Sequence, residues 1–150
     1  MTAPRFTDAQ MRRYSRQILL PAVGGHGQAR LRAAEVAIDV DGAAGRIAAL
    51  LLAAAGVGRI VLCGALDRPV AEADLGFPLD AGARGRGLGD AVAAQVAARN
   101  PDVTIVRATA RPASCLHLDD EPGQTLADAL ARAGAAATAL AYALATGTAP

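Results

Sequence analysis

Residues 36–60, VAIDVDGAAGRIAALLLAAAGVGRI, limit the possible folds of this chain more than any other stretch. EVAIDV, residues 35–40, is a compact apolar run suited to a buried strand, and RIVLC, residues 59–63, is a second. Between them Ile47 to Ala55 is apolar on nearly every face, as in a helix packed between a sheet and a partner, and Gly56 and Gly58 stop it. Strand, glycine turn, helix and strand within this span make one βαβ unit, whose strands should be parallel. A phosphate-cradling version of the unit carries G-x-G-x-x-G at the turn, because the backbone must bend tightly and approach the anion. Here those positions hold Val40, Asp41, Gly42, Ala43, Ala44 and Gly45. A β-branched residue at the bend and a methyl group facing the anion both hinder approach, and Asp41 repels a polyphosphate unless a metal intervenes.

The flanking sequence predicts one α/β domain with a Rossmann-like parallel sheet, flanking helices and an N-terminal helical extension. Its parts are N-terminal helices in 1–33, a βαβ core in 34–106 and a C-terminal helix in 124–147. Thr7 or Asp8 caps a helix over AQMRRYSRQILL with Met11, Tyr14, Ile18 and Leu19 facing inward, and Pro21 ends it. VGGHGQARLRAA restarts as a second helix. Residues 64–89 read as a long irregular loop, Asp90 to Arg99 as a helix and DVTIV as a short strand. After a polar turn at DDEPGQ, a long helix begins at its cap Thr125 and ends before Gly147. The chain is 53% hydrophobic but 3% aromatic, so its core must be built from Ala, Val, Leu and Ile at close approach.

Charge and cysteine usage narrow the function classes. Net charge is +1 with both signs interspersed, which offers no basic stripe for nucleic acid and no polybasic patch for a membrane. All 15 cationic residues are Arg, so any mechanism requiring a lysine ammonium is excluded. Cys63 and Cys115 lack C-x-x-C spacing and read as ordinary thiols rather than zinc ligands. His26 and His117 read as solvent-facing, and Asp119 with Asp120 as a solvated acidic turn. MTAPRFTDAQMRR has no apolar signal core, and the Ala-rich run from Ala133 to Pro150 reads as short of a membrane span; the expected location is cytoplasmic.

RYSRQILLPAVGGHGQARL at residues 13–31, LAAAGVGRI at 52–60 and RNPDV at 99–103 together resemble the ThiF, MoeB and HesA family, bacterial relatives of ubiquitin-activating enzymes. The resemblance covers roughly the first 105 residues, and the closing helix looks like the family's last core helix with the central portion of a full-length enzyme missing. It implies dimerisation, ATP with magnesium as cofactor, and adenylation of the C-terminal glycine of a small ubiquitin-like sulfur carrier. The machinery for that reaction is depleted. Two glycines of the family's G-x-G-G-x-G fall at Val40 and Ala43, and the acidic residue for the ribose hydroxyls falls at Gly64, with Asp67 its only near substitute. The S-N-L-x-R-Q motif reads ADLGFP at 73–78, and the phosphate-holding Lys of G-R-P-K falls at Leu88.

One catalytic element persists by resemblance: Arg16, matching an arginine that reaches ATP in the other subunit of a dimer. Asp41, Gly42, Gly45 and Asp67 are the residues left to touch a nucleotide, although the glycines equally serve close packing of helix on strand. The leading expectation is a catalytically depleted binding, dimerisation or regulatory subunit that requires no cofactor. It would pair with itself or with a ThiF/MoeB homologue, supply Arg16 in trans, and meet a ubiquitin-like carrier. The alternative is a divergent adenylyltransferase still using ATP. A third reading keeps a Rossmann-like site for another nucleotide or small ligand.

Overall fold

A computed structural model describes residues 5–120 and 123–148. The elements run α1 (Asp8–Ile18), α2 (Gly24–Ala33), β1 (Glu35–Asp39), α3 (Ala43–Ala55), β2 (Arg59–Cys63), α4 (Leu88–Arg99), β3 (Thr104–Arg107) and α5 (Leu126–Thr146). The three strands form one parallel sheet in the order β1-β2-β3, with Asp39 opposite Cys63 and Leu62 opposite Arg107. Val36, Ile38, Val40, Ile60 and Leu62 alternate into the core, where Ile47, Ala48, Ala49, Leu52 and Ala53 of α3 are also buried. α5 lies along α3 and α2, inserting Ala129, Ala133, Ala137 and Ala145. Small side chains let these helices approach closely, as the aromatic-poor composition requires.

Several boundaries differ from the sequence reading. α3 starts at Ala43, four residues before the apolar run, because Gly42 takes the extended N-cap conformation and the turn is only as long as Val40–Gly42. In α1, Tyr14 is buried but Met11 and Leu19 are 44% and 79% exposed; this helix rests on α2 and the end of α3, and only one side of it is covered. Residues 64–87 are more ordered than a bare loop, with short 3₁₀ turns at Glu72–Asp74 and Ala81–Ala83 and bridges between Pro69 and Gly87 and between Gly76 and Leu79. α5 is 21 residues and apolar enough by length and composition to cross a membrane, which the sequence reading denied; here its alanine face packs on α3. Thr125 caps it with a capping box to Asp128, and Gly147 closes it in the left-handed region at φ 77°.

The motif residues of RYSRQ, GHGQ and RNPD converge on one place, the C-terminal end of α3. Its last carbonyls need donors, and three side-chain amides supply them: Asn100 Nδ2 to Ala53 O at 2.7 Å, Gln17 Nε2 to Ala54 O at 3.3 Å and Gln28 Nε2 to Ala55 O at 3.1 Å. Asn100, fully buried, also donates to the Tyr14 hydroxyl at 2.9 Å and accepts from Asp102 N at 3.0 Å, while Tyr14 and Arg13 both bond the Asp102 carboxylate. Gly56 turns the chain at φ 91° directly beneath this collar, where a Cβ would lie 2.3 Å from Gln28 Nε2 and 2.7 Å from the Tyr14 ring. Asn100→Ala strips donors from Ala53 O and Tyr14 in a dry site, and a loss of about 2–3 kcal/mol in unfolding free energy is expected. Urea denaturation checks it, and a change below about 1 kcal/mol would contradict the role of the amide.

Candidate functional site

The glycine turn lies where a Rossmann-like fold keeps its ligand, beyond the C-terminal ends of the strands and at the N-terminus of α3. The Gly42 cap brings no side chain to the first amides of α3. Their partner arrives from far along the chain: Asp120 accepts from Ala43 N at 2.8 Å and Ala44 N at 3.5 Å. A Cβ on Gly42 would meet that carboxylate at 2.9 Å. Asp120 thus holds the place a phosphate oxygen takes in a working cradle; it and Asp119 are both exposed, as the sequence reading has them, but Asp120 caps α3 and Asp119 bonds His117.

A segment ending in Asp120 is fastened over the strand ends. Leu116 bridges Ile38 of β1, donating to Ala37 O at 2.8 Å and accepting from Asp39 N at 2.9 Å. Asp39, buried at the end of β1, pairs with Arg111 and accepts from His117 Nδ1 at 2.9 Å, and His117 Nε2 bonds Asp119 at 2.6 Å. The neighbouring Asp39 and Asp119 carboxylates hold the imidazole above its ordinary pKa. The protonated ring is the bonded form, so its stabilising contribution is complete below about pH 6.5 and is lost as pH rises through the raised value. Stability should therefore fall from about pH 6.5 upward in the intact chain and stay flatter in His117→Ala, as followed by urea midpoints; identical profiles would contradict the pairing.

Behind the turn, Arg46 is 4% exposed and donates to Asp41 O at 2.7 Å, Val40 O at 3.2 Å and Asp74 Oδ1 at 3.4 Å. Burial draws its pKa down against the pull of Asp74. Arg68 makes two bonds to Asp74, at 2.6 and 2.8 Å, and with help from the Ala71 amide brings that carboxyl to about 2. These two arginines are turned toward the chain's own carbonyls and carboxylate. A cavity of about 390 Å³ opens between Arg46, Asp74, Phe77, Asp120 and Thr125. With the Ala43 and Ala44 amides taken and Asp74 and Asp120 lining the cavity, this donor set does not fit a triphosphate.

The predicted site residues scatter accordingly. Gly45 sits against β1, where a Cβ would be 1.9 Å from Asp39 O, a close-packing role. Asp41 accepts from Ala65 N at 2.8 Å and lies against Gly64. Asp67 is exposed and pairs with Arg107 of β3. Leu88, at the family's lysine position, is fully buried. Arg16 is exposed on α1, beside the C-terminal end of α3, so the length of that helix, about 18 Å, separates it from the glycine turn of its own chain. Sequence reasoning passed over Arg46, Arg68, Asp74 and Arg111; the one available signal was an arginine inside an otherwise apolar helix.

No protein-family model matches the chain. It is 48% identical over 56 residues to the vegetative HesA protein of Trichormus variabilis, a match covering 37% of this chain and 21% of that one. It is 50% identical over 64 residues to the adenylyltransferase and sulfurtransferase MOCS3 of Bos taurus, covering 43% and 13%. The crystal structure of PaaA superposes with a TM-score of 0.62 at 25% identity, over 71% of this chain and 38% of that one. The tRNA N6-threonylcarbamoyladenosine dehydratase TcdA of E. coli, at a TM-score of 0.61 and 20% identity, shares the fold over 70% and 43%. The chain spans only a minor part of each curated relative. It is related to the ThiF, MoeB and HesA proteins and has their α/β fold.

Proposed function

We propose that the chain is a catalytically depleted ThiF/MoeB-like protein that works as a binding or dimerisation subunit without a cofactor of its own. The observation that supports this most is the Asp120 carboxylate on Ala43 N and Ala44 N, in the position a nucleotide phosphate would need. Leu88 in place of the lysine and the inward engagement of Arg46 and Arg68 support it further. Each missing phosphate contact is a charge-assisted bond of roughly 1.5–3 kcal/mol, so losing several removes the transition-state stabilisation adenylation needs.

The partner in this reading is a second copy or an active homologue, to whose nucleotide Arg16 is presented; a ubiquitin-like carrier is the substrate of the pair. The placement of Arg16 far from its own glycine turn favours action in trans. Isothermal titration with ATP and magnesium is the test. The isolated chain should give no heat at millimolar nucleotide, and pyrophosphate exchange should stay at background. Micromolar binding by the chain alone would overturn the proposal in favour of a divergent adenylyltransferase.

A further inference from the structure

The segment that closes the glycine turn is fastened unevenly along its length. Up to His117 it is held firmly, by Arg111 on Asp39 and by the Leu116 bridge to β1, and Leu118 packs against the core. Beyond that point, among the described residues, Asp119 and Asp120 make no backbone–backbone hydrogen bond and are tied only through their carboxylates. Asp119 accepts from His117 Nε2 at 2.6 Å, and Asp120 accepts from the first amides of α3. The charged groups around the imidazole are Asp39 of β1, Asp119, and Arg111, whose guanidinium shares Asp39 Oδ2 with the ring. Asp41 of the turn lies 3.7 Å from Arg111, Cys63 is opposite Asp39 in the sheet, and the Cys115 thiol adjoins both Cys63 and Asp39.

Only a protonated imidazole can donate to both carboxylates; the neutral ring has one N–H and turns a lone pair on the other acid. Exposure decides which bond survives. The Asp39 side chain is 2% exposed and cannot exchange a donor for water, whereas that of Asp119 is 77% exposed and can. We infer that His117 is a pH-sensitive latch: losing its proton frees Asp119, and the Asp120 carboxylate next to it then leaves the N-terminus of α3. With the latch closed, the amides of Ala43 and Ala44 are capped; with it open, they face solvent, since Gly42 brings no side chain to replace Asp120. The neighbouring carboxylates raise the imidazole above its ordinary 6.5, which sets the opening on the alkaline side of that value. The latch governs access to the turn whatever the chain binds elsewhere.

Amide NMR of the full chain between pH 5.5 and 8.5 tests it, a range in which ordinary carboxylates do not titrate. The Ala43 and Ala44 signals should move in step with the His117 ring signals. Their hydrogen-exchange protection should fall about tenfold across the same midpoint, while Ala48 and Ala49 in the middle of α3 keep theirs. In His117→Ala both amides should rest at their high-pH positions throughout. Asp119→Asn, an exposed change, should uncouple the two events, because an amide accepts from the charged ring and donates to the neutral one. In that variant the ring should still titrate while Ala43 and Ala44 stay fixed and protected. Amide signals that ignore the His117 titration in the intact chain, or that follow it equally in Asp119→Asn, would overturn the inference.

Discussion

Gly45→Ala is expected to lower the unfolding free energy by about 3 kcal/mol or more. In an ordinary helix the same exchange stabilises, by roughly 0.5–1 kcal/mol, because alanine loses less backbone freedom on folding. At Gly45 the new methyl would stand 1.9 Å from Asp39 O and 3.0 Å from its carbonyl carbon. The obstacle is main chain at the end of β1, and the adjacent Val40 N is already bonded to Cys63 O, so relief means prising α3 off the sheet. Gly134 supplies the control: it lies inside α5, a methyl added there would meet nothing within 4 Å, and Gly134→Ala should raise the urea midpoint. Equal effects of like sign at the two positions would refute the packing account.

Asp120→Ala should create an anion response that the intact chain lacks. Without the carboxylate, Ala43 N and Ala44 N lose their acceptor and Gly42 offers no substitute, so about 1 kcal/mol of capping stability goes with it. If the open turn is normally a minor state of a few per cent, removing its internal occupant raises apparent phosphate affinity by about 10- to 100-fold. Inorganic phosphate should then raise the urea midpoint of the variant and leave that of the parent unmoved. A variant indifferent to phosphate would show that Asp120 is only a cap and that the cradle was lost through Val40 and Ala43 themselves.

The βαβ unit could be read from sequence because its signals are local: two apolar runs of strand length, an apolar helix and glycines where the chain must turn. The caps at Thr125 and Gly147 were legible for the same reason, each being a residue whose chemistry fits one position of a helix end. The start of α3 was not, since Ala43 and Ala44 carry no periodic signal and the helix begins directly after Gly42, which is still extended. The cluster of Asp39, Arg111, His117 and Asp119, with the Asp120 cap next to it, was invisible for a different reason. Its members are separated by as many as 80 positions, and only the pairing of Leu116 with β1 brings them together. A carboxylate that caps a distant helix looks, in sequence, like any acidic turn.

The amide collar at the end of α3 separates two kinds of inheritance within a single helix. Asn100, Gln17 and Gln28 answer to the demands of folding, and nothing in their bonds refers to a nucleotide. The glycine turn at the opposite pole answers to chemistry. Descent can therefore preserve the first and discard the second, and a lineage so altered would still be recognised as kin by the very residues that never took part in the reaction.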